Sequence, residues 1–139
     1  MLSMLMVEKI SNKSIKVYFV VVTIIYLIES LTIQNPYFPI LYAFLGPIFF
    51  FGLHFKLSFK FSAYVEQNYP ELMKKYAVNF SVMKGEYLDF LSIYQGKKDF
   101  EINNDTLLMS YFEKGKLLLK LAIYSFILYP IVLITSFLI

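Results

Sequence analysis

The chain has no cysteine, no arginine and one histidine among its 139 residues. Without cysteine there are no disulfides, no thiolate chemistry and no Cys-based zinc sites, and the redox compartment is left open. All 13 basic residues are lysines. Surfaces that read phosphate or nucleic acid recruit arginine for its bidentate fork, so no nucleic-acid partner is expected. Charge is sparse, at 17% of residues with a net +3. There is no glycine-rich phosphate loop, no His-Glu pair of metalloprotease type and no serine elbow. Catalytic, cofactor-binding and metal-binding residues are therefore read as none, no cofactor is implied, and the chain is not read as an enzyme.

Apolar residues are what the chain has in abundance. They make up 58% of it and aromatics 19%, and mean hydropathy is +0.61. Soluble domains run about 45–50% apolar. Residues 121–139, LAIYSFILYPIVLITSFLI, form an uncharged run of 19. At about 1.5 Å per residue such a helix crosses the roughly 30 Å of a bilayer's hydrocarbon core. Residues 17–33 and 37–55 are two further apolar runs, separated by Gln34-Asn35-Pro36, where proline enforces a turn. The basic start followed by an apolar block resembles a secretory signal, but no Ala-x-Ala-like site follows Ile28, so an uncleaved first helix is expected. Gly46-Pro47 marks a kink in the second run, of a kind that transmembrane helices tolerate.

The expected fold class is all-α: a polytopic membrane protein with three transmembrane helices and a small cytoplasmic helical segment between the second and third. Residues 1–16 form a cytoplasmic N-terminal segment whose apolar stretch 1–6 can lie along the membrane interface. Residues 17–55 form a transmembrane helical hairpin, 56–120 a cytoplasmic amphipathic segment, and 121–139 the last span. Lysine placement sets the orientation. Three lysines precede the first run, ten lie between Lys56 and Lys120, and none lies in the turn or after Lys120. The positive-inside bias puts the N-terminus inside and Ile139 outside.

Within 56–120 the period is helical. Leu57, Phe61, Tyr64 and Val65 share one face, so the second helix should run on past the membrane. Asn68-Tyr69-Pro70-Glu71 reads as a helix start with Asn68 as cap and a short helix to Tyr76. Tyr87, Leu88, Leu91 and Tyr94 mark another helix closed by Gly96. Residues 97–104 read as a loop, with Phe100 and Ile102 in an extended piece. Asp105 can cap a last helix that presents Leu107, Leu108, Tyr111 and Phe112. Gly115 and Pro130 are its weak points.

Two residues are candidates for function. Glu29 is the one acid inside a span, and buried acids in membranes often mark ion or proton paths. It lies about one turn from the outer interface, which favours an interfacial reading. His54 is the only histidine, at the inner end of the second span. It has no carboxylate at helical spacing, so an interfacial structural role is favoured over a pH sensor. The series Asp99, Glu101, Asn103, Asp105 imitates a calcium loop but lacks its glycine and its bidentate glutamate.

The span leading into the helix that ends Tyr64-Val65-Glu66-Gln67-Asn68-Tyr69-Pro70-Glu71-Leu72-Met73-Lys74-Lys75-Tyr76, followed by a Lys-led helix into a last span, resembles the universal stress protein B-like small inner-membrane proteins of bacteria. The likeness covers about two-thirds of the chain, from about Phe51 onward. The added span 17–33 and the lack of arginine are departures. The resemblance implies a non-enzymatic protein of the cell inner membrane tied to stress response or envelope physiology, and it carries over no functional residues.

The leading function is a non-catalytic accessory or regulatory protein, a subunit or modulator of a larger membrane assembly. Its partners would be the lipid bilayer and another membrane protein or a second copy of itself. The alternatives are an immunity protein against a membrane-acting toxin and a small homo-oligomeric channel; the latter would need a polar pore face. Reporter fusions test the orientation. A phosphatase fused at Ile139 is expected to be active and one fused at Gly96 inactive; the opposite pattern would invert the topology.

Overall fold

A computed structural model describes residues 10–33, 35–79 and 86–138. The N-terminal apolar stretch 1–6, Gln34 of the expected turn and Ile139 lie outside the described residues. The elements are α1 (Asn12–Thr32), α2 (Tyr37–Ala43), a π-helical segment (Phe44–Ile48), α3 (Phe49–Asn68), α4 (Pro70–Tyr76), β1 (Ala77–Asn79), β2 (Glu86–Leu88), α5 (Phe90–Gln95), α6 (Lys97–Glu101) and α7 (Thr106–Leu138). The protein is mostly helical. Three helices, Asn12–Thr32, Tyr37–Asn68 and Thr106–Phe137, are long and apolar enough to cross a membrane. The chain divides into two compact units, Met1–His54 with Leu117–Ile139, and Phe55–Lys116.

The first unit holds α1, the second apolar helix as far as His54 and α7 from Leu117 onward. Ser11 caps α1, its hydroxyl accepting from the Ser14 N–H at 3.1 Å. Val17, Val20, Ile24, Ile28 and Leu31 stand exposed on α1, aliphatic surface that water penalises and a bilayer accepts. Its other face packs inward. Tyr26, Tyr42 and Val132 form a buried cluster joined by Val22, Leu27, Phe38, Leu128 and Tyr129. Two hydroxyls pair across α1 and α7: the Thr135 hydroxyl donates to Ser30 Oγ at 2.9 Å, and Ser30 in turn donates to the Leu27 carbonyl.

The break expected at Gly46-Pro47 takes the form of the π-helical segment. Proline has no N–H to give, and a π-bulge widens the turn around it. The Phe49 N–H then reaches the carbonyls of Phe44 and Gly46. The Leu45 carbonyl accepts instead from the Tyr18 hydroxyl of α1 at 3.0 Å. Gly46 also approaches α7 closely: a Cβ there would lie 3.4 Å from Ser125 Cβ. Small residues at such crossings let helix backbones draw together.

The second unit is built around aromatic rings. Leu57, Phe61 and Val65 recur every four residues on α3 and are all buried, as their common helical face requires. Phe61 meets Phe90, Phe100 and Tyr111 at ring separations of 5.8, 5.9 and 5.9 Å. Phe100 meets Phe112 at 5.2 Å and Tyr76 at 5.7 Å. Such pairs are worth about 0.5–1.5 kcal/mol each beyond burial.

One short ribbon interrupts the otherwise helical architecture. β1 and β2 form an antiparallel ribbon with Ala77 opposite Leu88, Val78 opposite Tyr87 and Asn79 opposite Glu86. The helix expected through Tyr87 and Leu88 begins only at Phe90, because Asp89 intervenes. Its side chain accepts from the N–H groups of Leu91 and Ser92, and its own N–H donates to the Tyr76 carbonyl at 2.8 Å. Leu91, expected on the apolar face, is exposed. The expected loop 97–104 contains α6 instead. Lys97 and Glu101 pair at 2.9 Å across one turn, and Phe100 is drawn fully into the core, so Phe100 is helical and not extended. Asn104, at φ 49°, makes the left-handed turn before α7, a conformation asparagine tolerates better than most residues. Asn68 is not the cap of α4. It completes α3, its amide donating to the Tyr64 carbonyl at 2.9 Å, and Tyr69 takes the cap position without a side-chain bond.

α7 continues without interruption through both Gly115 and Pro130. Gly115 is where Tyr94 packs, and a Cβ there would strike the Tyr94 hydroxyl and come within 3.2 Å of its ring. Gly115→Ala regains up to about 1 kcal/mol of helix propensity but overpacks a buried contact, at a cost of about 1–3 kcal/mol. Thermal unfolding of the two single variants and the double should show the penalty shrinking in a Tyr94→Phe background. An identical effect of Gly115→Ala in both backgrounds would show that the Tyr94 hydroxyl is not what opposes a side chain at Gly115.

Candidate functional site

The polar groups of the second unit gather around two aspartates. Asp105 precedes α7. Its Oδ1 accepts from the N–H groups of Leu107 and Leu108 at 2.8 and 3.1 Å, capping the helix. Its Oδ2 accepts from the hydroxyls of Tyr64 and Tyr69, each at 2.6 Å. Four donors on one carboxylate favour its charged form. The Tyr64 and Tyr69 bonds, then the Leu108 N–H, lower the Asp105 pKa to about 2. The same bond, with burial and the carboxylate's charge, pushes Tyr69 up to about 12.

Asp99 sits on α6 and reaches α4. Its Oδ2 lies 2.5 Å from Lys75 Nζ and also accepts the Tyr76 hydroxyl. The bond from Lys75, then that from Tyr76, lowers the Asp99 pKa, and Lys75 is raised by the same bond. A Cβ at Gly96 would collide with the Tyr76 hydroxyl, so glycine at that position lets the tyrosine reach Asp99.

Between these anchors lies an open groove of about 420 Å³. Tyr69, Pro70, Leu72 and Ile102 give it apolar walls, and Lys75, Asp99 and Asn103 give it polar ones. Ile102 is 77% exposed. The Asn103 amide donates to the Asp99 carbonyl at 3.0 Å.

The residues singled out from the sequence lie elsewhere. Glu29 is half-buried on α1, in the turn whose carbonyl accepts the Ile33 N–H. His54 is buried on α3. Among the described residues no three His, Asp or Glu side chains assemble as a metal site, and the four members of the calcium-loop imitation diverge, Asp99 toward α4 and Asp105 toward Tyr64 and Tyr69. Sequence reasoning found the Asp105 cap but missed its tyrosines, which lie 41 and 36 residues away. It also missed the Lys75–Asp99 pair. Local spacing carries no signal for either.

No known protein family, curated protein or solved structure matches the chain.

Because Asp105 is depressed from its ordinary value near 3.8, its stabilising contribution is complete above that value. It is lost as pH falls through about 2. Amide protection over Thr106–Phe112, taken relative to the intrinsic exchange rate at each pH, should therefore fall between about pH 4 and pH 2, and Asp105→Asn should flatten that dependence. Asp105→Ala, which deletes the cap as well, should destabilise the unit by at least the usual cap value of about 0.5–2 kcal/mol.

Proposed function

We propose that the protein is a non-catalytic integral membrane accessory protein, a subunit or modulator of a larger membrane assembly. In this reading it resides in a bacterial cytoplasmic membrane with its N-terminus inside and C-terminus outside, and it presents residues 56–120 to the cytoplasm. The observation that carries the reading is how the acids of the second unit are used. Asp89, Asp99 and Asp105 are each spent on helix caps, a lysine and tyrosine hydroxyls, which hold an aromatic core in place. Meanwhile Leu91 and Ile102 are left outward at 66% and 77% exposure. Outward aliphatic side chains on a unit braced by polar bonds suit protein contact better than turnover. Glu29 and His54 remain candidates for a role within the membrane portion. The resemblance to universal stress protein B-like proteins makes envelope stress the physiological setting we propose.

The test is purification of the full chain in mild detergent at native expression, beside an Ile102→Asp variant. The expected outcome is a stoichiometric partner retained by the parent and lost by the variant, with both giving the same thermal unfolding. A chain that purifies alone in its parent form, or a partner indifferent to both Ile102→Asp and Leu91→Asp, would overturn the proposal.

A further inference from the structure

Helix α3 begins inside an uncharged run and continues past it. Along one face, Phe51, Phe55 and Phe59 recur every four residues, exposed at 43%, 60% and 50%. The Phe55 and Phe59 rings pack edge to face at 4.7 Å. The opposite face, Leu57 and Phe61, is buried, so the exposed phenylalanines are not part of the core. Beyond Phe59 the outward positions turn polar, with Glu66 and Gln67 exposed. The apolar face therefore ends between Phe59 and Glu66, while the first charge already appears at Lys56.

We infer that Phe55 and Phe59 form an interfacial anchor that inserts into the headgroup and upper acyl region of the bilayer, with Lys56 beside them directed at lipid phosphate. The inference rests on the reading of α3 as a membrane-spanning helix. Four residues of helix carry Phe59 about 6 Å beyond Phe55. The polar headgroup layer on each side of the hydrocarbon is about 5–8 Å deep, so Phe59 falls within it. Rings and lysines side by side are the composition of that layer: aromatic faces pack against acyl chains, and ammonium groups extend to anionic headgroups.

The chain has no tryptophan, so a single introduced Trp reports its own depth without background from another indole. The full chain carrying Phe59→Trp, and separately Phe44→Trp as a reference inside the apolar run, is reconstituted in phosphatidylcholine–phosphatidylglycerol vesicles. The vesicles contain lipid brominated either close to the headgroup or mid-chain. The Phe59→Trp emission is expected to be blue-shifted and quenched more by the shallow bromines than by the deep ones, and Phe44→Trp the reverse. If Phe44→Trp is quenched while Phe59→Trp is not, the anchor is refuted and the spanning helix stands. If neither is quenched, the spanning reading itself fails. Because the chain also lacks cysteine, Phe59→Cys can be crosslinked alone. A disulfide dimer forming in proportion in the vesicles, with Phe59→Trp unquenched, would assign the face to a second copy instead.

Discussion

The second unit depends on a single carboxylate. Asp105 holds the tyrosine near the end of α3, the tyrosine that opens α4 and the first N–H groups of α7. Three elements distant in sequence thus share one charge. Hydrogen bonds to an ionised acceptor are roughly twice as strong as neutral ones, and the two tyrosine rings that donate them are themselves members of the aromatic network, Tyr64 lying 5.7 Å from Tyr111. The polar tie and the apolar core therefore reinforce each other. Phe61 is positioned by α3, α3 is fixed by Tyr64, and Tyr64 is fixed by Asp105. The Lys75–Asp99–Tyr76 contact repeats the arrangement on a smaller scale, with α4 and α6 as the elements joined.

In the apolar unit the governing constraint is different. A backbone carbonyl without a partner in hydrocarbon costs several kcal/mol, and Pro47 disturbs the ladder that would supply one. The π-helical segment redistributes the bonds, and Tyr18 reaches across from α1 to the Leu45 carbonyl. Breaking the helix thus generates a helix–helix contact. Ser30 and Thr135 similarly satisfy each other between α1 and α7. These few polar bonds give register to surfaces otherwise made of interchangeable aliphatics.

Long-period patterns in the sequence announced the long elements. The three apolar helices, the burial of Leu57, Phe61 and Val65, and the cap at Asp105 all follow from runs, helical spacing or capping chemistry within a few residues. What was not legible was set by contacts across the chain. Tyr87 and Leu88 have helical spacing relative to Leu91 and Tyr94, yet Asp89 interrupts them and the backbone turns to pair with Ala77 and Val78. Asn68 has the chemistry of a cap, but the preceding helix claims it. Residues 97–101 look polar enough for a loop, and Phe100 alone pulls them into a helical turn against Phe61 and Phe112. The groove walls come from α4 and from the turn at Ile102-Asn103, which no local spacing relates.

The separation between Tyr64 and Asp105 also sets an order of events during synthesis. Forty-one residues part them, and chains are made at about 5–20 residues per second. After Tyr64 is added, about 2–8 s pass before its acceptor exists. Phe61 waits as well: Phe100 is added shortly before Asp105 and Tyr111 only after it, and these are rings that will cover it. A nascent chain in this state exposes aromatic surface, so the second unit is most open to capture by other proteins before α7 arrives.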